Sequence, residues 1–318
     1  MVRLIARKLV LIVLLLPLLN ALGYFYATTY RRLLRGASTY SQLPILGGAA
    51  NTGDYGAYFR GLLSGDLGKI DQTPISSILA EPVRNSLIVL GLALLVTVVF
   101  GLALGFLAIS PRTKRVRPLA LVFLTAGSSL PGFFLGSAAL ALIIYGSLLK
   151  PGRGTIFPIG GFGLDEHLIL PVLTLASRPM LQVARVAGGL LENELQQDYI
   201  RVALSKGLSW RRILWQHAFP NIVAPIVITI GQSMRLLIGG LIIVEALFRW
   251  PGIGRVFMII VGVRVDGRVP LEFFSNPELL AAIALIFGIW LLLADLITSV
   301  VAALSDPRLR QAASSSMA

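Results

Sequence analysis

Cysteine is absent from this chain of 318 residues. Its absence excludes disulfides, thiolate metal sites and a cysteine nucleophile, and it leaves the redox compartment open. The phosphate-binding pattern G-x-x-x-x-G-K-[ST] is absent as well, since the one Gly-Lys pair, Gly68-Lys69, is followed by Ile70 and lacks the upstream glycine. We therefore expect no nucleotide cofactor, and no ATP hydrolysis, in this chain.

Catalytic constellations are also missing. Glu192 and Glu194 have no nucleophile or metal-binding pattern near them, so solvated charges at a helix end are the expected interpretation. The glycines at 160, 161 and 163 are turn residues, because no strand-helix unit surrounds them. We predict that the chain is not an enzyme and holds no metal.

Charged residues are scarce and apolar residues abundant. Charged residues make up 14% of the chain and apolar residues 56%, and the mean hydropathy is +0.81. This is more apolar surface than the core of a soluble protein can bury. The net charge of +13 comes from basic residues that flank apolar runs, so it predicts membrane topology rather than nucleic-acid binding. The composition predicts an all-α integral membrane protein.

Six apolar runs predict six membrane helices, at residues 9 to about 27, 86–109, 119–149, 168–188, about 222–246 and about 278–303. A cleaved signal peptide is the alternative for the first run, and we favour a retained helix. The third run is too long for one upright helix, and Pro131-Gly132 predicts a kink in it. Gly101 and Gly105 form a small-xxx-small pair that allows another helix to approach closely.

Three regions follow from these runs. Residues 1–85 are predicted to be a membrane helix with a long extracytoplasmic segment, residues 86–304 a transmembrane domain, and residues 305–318 a cytoplasmic tail. The positive-inside rule places both termini, the 110–118 loop and the 189–221 loop in the cytoplasm. Arg249, Arg255, Arg264 and Arg268 fall in the last outer loop, and long outer segments are weak topology signals. His167 and His217 would lie on opposite faces, so we expect a capping or interface role for His217 rather than a metal site.

The loop at 189–221 contains two helix-prone pieces joined at Gly207-Leu208-Ser209. Gly207 is expected to cap the first helix with positive φ, Ser209 to N-cap a second helix at 210–218, and Pro220 to break that helix before the fifth span. The apolar positions of this helix-turn-helix hairpin can pack against the membrane bundle or a partner. An amphipathic loop resting on lipid headgroups is the alternative.

The letters of residues 198–221, DYIRVALSKGLSWRRILWQHAFPN, are more specific than their composition. Their spacing from Ala203 through Gly207 to Pro220 resembles the EAA loop of ABC transporter permeases that work with a solute-binding protein. The whole string resembles the dipeptide/oligopeptide/nickel branch of that family. Further similar motifs follow in order along the chain: Gly65-Asp66-Leu67-Gly68, Ser129-Leu130-Pro131, Phe133-Phe134, Leu170-Pro171, Glu245, Phe248-Arg249-Trp250-Pro251-Gly252-Ile253-Gly254, Asp295 and Ser305-Asp306-Pro307-Arg308. The poorest match is at residues 20–58.

The resemblance implies a permease subunit that forms half of a translocation pathway for peptides. It implies a second related permease, two ABC ATPase subunits that bind ATP and Mg²⁺, and an extracytoplasmic solute-binding protein. The residues it assigns to ATPase coupling are Asp198, Arg201, Ala203, Lys206, Gly207, Arg211, His217 and Pro220. Nickel chelates, oligosaccharides or another small solute are alternative cargoes, and an ATPase-independent channel or secondary transporter is the alternative class.

The translocation path is assigned to five residues, Pro131, Phe133, Arg178, Arg235 and Glu245. Arginines at bilayer depth are costly unless they face water or a partner, and in the path they would attract carboxylate-bearing solutes. As alternatives, Arg178 snorkels to an interface, and Arg235 forms a structural ion pair with Glu245 or Asp295. The turn at Trp250 is expected to shape an outer gate or receptor-docking surface, or to be an interfacial aromatic anchor.

Overall fold

A computed structural model describes residues 2–36, 54–70, 72–149, 157–261 and 276–305. The described helices are α1 Val2–Gly36, α2 Tyr55–Leu63, α3 Ile75–Ala108, α4 Pro118–Ser129, α5 Gly132–Leu148, α6 Ile169–Leu195, α7 Asp198–Ser205, α8 Trp210–Arg212, α9 Phe219–Leu247, α10 Ile253–Ile260 and α11 Pro277–Ser305. A 3₁₀ turn, Glu166–Leu168, precedes α6, and a π-helical segment, Ile213–Ala218, joins α8 to α9. Strands β1 Lys69–Ile70 and β2 Thr73–Pro74 pair antiparallel in a short hairpin before α3.

Within the described residues, four helical stretches are long and apolar enough to cross a membrane, namely Ile5–Tyr30, Ile75–Ala108, Trp210–Leu247 and Pro277–Ala302. Helices α4 and α5 make up a fifth span if they count as one bent pair. The predicted all-α membrane fold is confirmed, whereas the count of six spans stays a prediction. The remaining long helix, α6, packs against α3, α4, α5 and α9, so protein rather than lipid surrounds much of it.

Several helices are longer than the hydropathy predicts. α3 begins at Ile75 rather than at 86, because polar residues such as Glu81 and Asn85 interrupt the apolar pattern of its first turns. α6 ends at Leu195 rather than at 188, and α1 continues to Gly36. Most of the predicted tail, and the positions of Arg264 and Arg268, lie outside the described residues.

The predicted kink at Pro131 is a complete break. α4 ends at Ser129, α5 begins at Gly132, and the two helices are bent by 97°. Proline lacks the N–H of a helical hydrogen bond and forces the preceding residue into an extended conformation. Leu130 accordingly has ψ 138°, and Pro131 becomes the N-cap of α5.

Helices α3 and α6 approach closely where α3 carries glycine. A Cβ atom on Gly101 would lie 3.0 Å from the carbonyl oxygen of Met180, and one on Gly105 would lie 2.9 Å from that of Ala184. Any side chain at either position would force the two backbones apart. The predicted close approach is therefore confirmed, with α6 as the partner helix.

Helices α1 and α11 run antiparallel. Asn20 of α1 donates a hydrogen bond of 3.2 Å to the carbonyl oxygen of Ala281, while Lys8 forms an ion pair with Asp295, further along α11. The amide of Asn20 also donates to the hydroxyl of Tyr58 at 3.1 Å, which attaches α2 to α1. The beginning of α1 and the last part of α11 therefore lie at the same end of the bundle.

Candidate functional site

The predicted turn of the hairpin has the geometry of a Schellman motif. Gly207 has φ +73°, its N–H donates to the Leu204 carbonyl at 2.9 Å, and the N–H of Leu208 donates to the Ala203 carbonyl at 3.3 Å. The predicted cap at Gly207 is confirmed. Ser209 occupies the N-cap position of α8, but its side chain makes no capping hydrogen bond.

The prediction that Pro220 breaks the second helix is wrong. The helical run continues from Trp210 through Pro220 to Leu247, and a π-helical turn at Ile213–Ala218 precedes the proline. Pro220 follows this π-helical turn directly, and the altered hydrogen-bond pattern of the turn lets the helix continue past the missing N–H. The hairpin therefore continues as helix directly into the span α9.

The apolar side of the hairpin is packed against the membrane bundle. Ile200, Ala203, Ile213 and Ala218 are buried, in one cluster with Ile109 at the end of α3 and with residues of α6. Most of the predicted coupling residues lie on the opposite, solvent-exposed side: Asp198, Arg201, Lys206, Gly207, Arg211 and Pro220. Ala203 supports the hairpin from beneath, and His217 is half-buried.

Three polar side chains join the two ends of the hairpin, and we call Glu194, Tyr199 and Asn221 the clasp. The hydroxyl of Tyr199 donates to the carboxylate of Glu194. The amide of Asn221 donates to Glu194 Oε1 at 2.8 Å, to Tyr199 Oη at 3.0 Å and to the carbonyl of His217 at 3.3 Å. Burial, and then the hydrogen bond to Glu194, raise the pKa of Tyr199 to about 12. The last turn of α6, the start of α7 and the start of α9 are thereby held together.

The sequence did not predict the clasp. Glu194 was interpreted as a solvated charge, yet its carboxylate accepts hydrogen bonds from both arms of the hairpin. Glu192 also has a partner, since its carboxylate accepts a hydrogen bond of 3.1 Å from the N–H of Val116. No helical or strand spacing relates residues this far apart, so only the tertiary fold reveals these pairs.

A second link joins the hairpin to α3. The ring of Trp215 stacks on that of Phe106 with 5.0 Å between centroids, and Phe219 packs against both rings. The hairpin is therefore fixed to α3 by aromatic contacts, to α6 by the clasp and to α9 by continuous helix.

A cavity of about 280 Å³ brings together most of the predicted path residues. Pro131 and Phe133 contribute from the α4–α5 break, Arg178 from α6, and Arg235 from α9. The rest of the wall is mainly apolar. Such a cavity, apolar with a few polar groups, is typical of sites for small organic solutes.

The two arginines differ in their partners. Arg235 forms an ion pair with Asp295 at 3.2 Å, and Asp295 is also paired with Lys8. The structural alternative raised for Arg235 is thus present, although its guanidinium also lines the cavity. Arg178 is exposed and, among the residues that the structure describes, forms no ion pair and donates no hydrogen bond.

Glu245, the fifth residue assigned to the path, does not line this cavity. It is completely buried, and its carboxylate accepts hydrogen bonds from Ser86 Oγ at 2.5 Å, from the N–H of Gly254 at 2.7 Å and from the N–H of Arg255 at 3.3 Å. A carboxylate at these two amides caps the N-terminus of α10, where it is favoured by the helix dipole. Glu245 therefore anchors the turn between α9 and α10 to α3.

Trp250 is part of the same anchor. Its side chain is completely buried and donates from Nε1 to the carbonyl of Asn85 at 3.2 Å. Asn85 in turn donates to the carbonyl of Pro251 at 3.0 Å. This burial excludes the interpretation of Trp250 as an aromatic anchor at the lipid interface.

Metal ligands are not clustered in the described ranges, where no group of three or more His, Cys, Asp or Glu side chains could hold an ion. His167 Nδ1 lies 2.6 Å from Asp165 Oδ1, and this hydrogen bond lowers the pKa of the Asp165 carboxyl. His217 lies in the hairpin, within the π-helical segment.

The helical bundle, the anchored hairpin and the solute-sized cavity together define a multi-pass membrane transport subunit. Residues 76–311 match the family described as binding-protein-dependent transport system inner membrane component, so the chain belongs to that family. It is a permease subunit of an ABC importer.

Relatives cover most of the chain. The chain is 29% identical over 255 residues to the glutathione transport system permease protein GsiC of Escherichia coli O6:H1, covering 80% of this chain and 78% of that protein. It is 28% identical over 255 residues to GsiC of Salmonella typhimurium, with the same coverage. A Brucella suis biovar 1 protein named as a peptide permease is 26% identical over 260 residues, covering 80% of this chain and 77% of that protein.

Proposed function

We propose that this chain forms half of the translocation pathway of an ATP-driven peptide importer and that the hairpin at 198–221 couples it to partner ATPases. The observation that carries the proposal is the two-sided hairpin, with one side buried on the bundle and the other exposed and basic. Its partners would be a second, different permease, two ABC ATPase subunits holding ATP and Mg²⁺, an extracytoplasmic solute-binding protein and membrane lipid. Nucleic acid is not a partner.

The arrangement of the ends supports a cytoplasmic location for the hairpin and both termini. Lys8 of α1 and Arg235 of α9 both pair with Asp295 in the last part of α11. Gly231, one turn nearer the start of α9, lies against Thr298, which is further along α11 than Asp295, so α9 runs antiparallel to α11. The start of α9, and with it the hairpin, therefore points to the end of the bundle where α1 begins and α11 finishes. The 110–118 loop reaches the same end through Val116, and its basic residues agree with a cytoplasmic position.

The anchoring of the hairpin supports a role in transmitting movement. A force applied to its exposed side reaches α3 through Trp215, α6 through the clasp and α9 through continuous helix. Helices α6 and α9 carry the two cavity arginines, so rocking of the hairpin changes the width of the cavity between them. Movement of rigid helices around a fixed site is a common route to alternating access.

Peptides are the proposed cargo because the relatives bear the names of glutathione and peptide permeases. The mainly apolar cavity with two guanidinium groups suits a small solute with an apolar body and an anionic group. A channel or secondary transporter would have no need of an exposed hairpin fixed so firmly to three helices.

Gly207 offers a test of ATPase docking. A Cβ atom at this position would meet nothing within 4 Å, and Asp and Asn both tolerate positive φ better than most residues, so the backbone strain should be small and similar in Gly207→Asp and Gly207→Asn. A basic hairpin is complementary to an acidic docking surface, and such a surface would repel an added carboxylate but not an amide of the same shape. The assay is ATP-dependent uptake and substrate-stimulated ATP hydrolysis in proteoliposomes that contain all subunits.

We expect Gly207→Asp to reduce both activities more than Gly207→Asn does. Wild-type activity in both variants would contradict docking at this turn. Equal loss in both variants, with normal assembly, would point to steric fit rather than charge.

A further inference from the structure

The cavity between the α4–α5 break, α6 and α9 has an excess of positive charge. Arg178 and Arg235 both contribute to its wall, and no acidic residue is present among its described lining residues. Asp295, the nearest partner of Arg235, is shared with Lys8, so one carboxylate faces two cations. The ion-pair cluster therefore keeps a net positive charge even before Arg178 is counted.

Arg178 lies deep in the bundle. It is about 14 Å from the start of α6 at Ile169, if each residue advances the helix by about 1.5 Å. Its neighbours Ala176 and Pro179 are buried, but the side chain of Arg178 itself is exposed into the cavity. A guanidinium at such depth that pairs with nothing in the described part of the chain is costly to keep, and such groups mark ion or substrate pathways.

The walls around the arginines leave room for a ligand. A Cβ atom on Gly239 would meet nothing within 4 Å, whereas one on Gly132, across the cavity, would lie 3.0 Å from the carbonyl of Thr174. Gly132 thus allows the α4–α5 break to pack closely on α6, while Gly239 leaves space on the side of α9. The result is an open cleft beside the two guanidinium groups.

The chemistry of guanidinium selects the ligand group. Its planar array of N–H donors fits a carboxylate in a bidentate geometry, and the interaction is strengthened where water is partly excluded. Asp295 shows that a carboxylate can reach Arg235 from the α11 side, at 3.2 Å. A solute carboxylate entering the cavity could approach the same guanidinium from the other side.

We propose that this cavity binds the carboxylate of the solute in transit, with Arg178 as the primary contact and Arg235 as a second cation that exchanges Asp295 for the solute. This inference rests on the proposed function, since it assigns a carboxylate-bearing cargo to the same pathway. The ion pair with Asp295 keeps Arg235 in position while the cavity is empty. The exchange also limits how tightly the solute is held, which a transport site requires.

The first experiment measures binding by chemical protection. The complete transporter in nanodiscs is treated with phenylglyoxal, which modifies arginine, and the modification of each site is followed by mass spectrometry. The protecting probes are tri-alanine and its C-terminal amide, which has the same shape without the carboxylate. We expect tri-alanine to slow modification of Arg178 and the amide to have little effect.

Arg185 is the matched internal control. It lies two helical turns further along α6 on the same face, about 10 Å nearer the hairpin, and is also exposed. It does not line the cavity. Equal protection of Arg178 by the acid and the amide, or equal protection of Arg178 and Arg185, would overturn the proposal.

The second experiment measures the uptake of tri-alanine and of its C-terminal amide by proteoliposomes, and the same solute-binding protein is used throughout. The ratio of the two uptake rates is the acid-to-amide ratio. Because the preference of that protein is common to all permease variants, it cancels when the acid-to-amide ratio is compared between them. We expect Arg178→Gln to lower this ratio about tenfold or more, because a hydrogen bond to a charged group is lost. Arg178→Lys should lower it less, since the positive charge remains, and Arg185→Gln should change it little.

An unchanged acid-to-amide ratio in Arg178→Gln would contradict the carboxylate site while ATP-driven uptake by the wild type still supported the proposed function. Absence of any ATP-driven uptake by the wild type would instead count against the proposed function. The two failures are therefore distinguishable.

Discussion

Replacing Glu245 tests whether it is a structural anchor or a path residue. Its carboxylate accepts hydrogen bonds from Ser86 and from the N–H groups of Gly254 and Arg255, and the side chain is completely buried. Glu245→Ala would leave both N–H groups without an acceptor, because water has no access to them. Glu245→Gln can keep its oxygen at the two N–H groups, which both donate to Oε2, and then turns an NH₂ donor towards the hydroxyl of Ser86.

The magnitude follows from the number of donors left unpaired. A buried polar group without a partner costs about 1–3 kcal/mol. The two N–H groups that Glu245→Ala leaves buried and unpaired should therefore cost roughly 2–6 kcal/mol of stability. A shift of about 2–4 °C per kcal/mol then lowers the unfolding midpoint by roughly 4–24 °C. For Glu245→Gln, which can keep both N–H groups paired, we expect less than half of the loss.

The assay is thermal unfolding of the purified permease in one detergent, with solute preference measured in proteoliposomes at a temperature where each variant is folded. Because Glu245 lies outside the arginine cavity, preference among solutes should be unchanged. A variant with wild-type stability and altered solute preference would refute the structural role and return Glu245 to the path.

Other predictions concern packing and the clasp. Gly105→Ala should destabilise the permease by about 1–3 kcal/mol, because its Cβ would lie 2.9 Å from the carbonyl oxygen of Ala184. Gly91→Ala in the same helix is the control, because its Cβ would meet nothing within 4 Å, so this change should be neutral or stabilising. Thermal unfolding of the two variants checks this difference, and equal shifts would argue against close contact of α3 and α6. Tyr199→Phe should weaken the clasp and lower solute-stimulated ATP hydrolysis of the complete transporter more than basal hydrolysis; equal effects on both would argue against a role in coupling. Since the pKa of Tyr199 is raised from 10.0 to about 12, its contribution to stability is present below pH 10 and is lost as pH rises towards about 12. The difference in ultraviolet titration between wild type and Tyr199→Phe measures the pKa itself, and thermal unfolding of both between about pH 9 and pH 12 measures the loss of stability.

Much of the fold could be predicted because the signals for it are local. Apolar runs show where spans lie, Pro131 marks a break, and Gly207 marks a turn with positive φ, since each depends on one or a few neighbouring residues. The boundaries of α3 and α6 could not be predicted from hydropathy, because their polar turns are stabilised by tertiary contacts rather than by lipid. The prediction for Pro220 is wrong because no local pattern reveals the π-helical turn that lets the helix continue past the proline.

For the candidate sites too, features that depend on neighbouring residues could be predicted, whereas features that depend on tertiary contacts could not. Four cavity residues could be predicted from the sequence. Pro131 and Phe133 stand out because they mark a broken helix, and Arg178 and Arg235 stand out because a charged side chain inside a membrane is energetically costly. Glu245 stood out for the same reason, but a buried carboxylate that caps a helix and one that lines a path have the same sequence signature. The pairs that form the clasp depend on the fold alone, so no pattern reveals them.

Labelling of a single introduced cysteine tests the central claim, that the exposed side of the hairpin docks a cytoplasmic ATPase. The chain has no cysteine of its own, and Val202, with 52% of its surface exposed, lies among the proposed coupling residues. Val202→Cys is treated with a membrane-impermeant maleimide in inside-out vesicles, with and without the ATPase subunits. Ser77→Cys, exposed near the opposite end at the start of α3, is the matched control.

We predict that Cys at 202 reacts in inside-out vesicles and becomes protected when the ATPases bind. Cys at 77 should react only in right-side-out vesicles, whether or not the ATPases are present. Labelling of position 202 from the outside, or at the same rate with and without bound ATPase, would contradict the account.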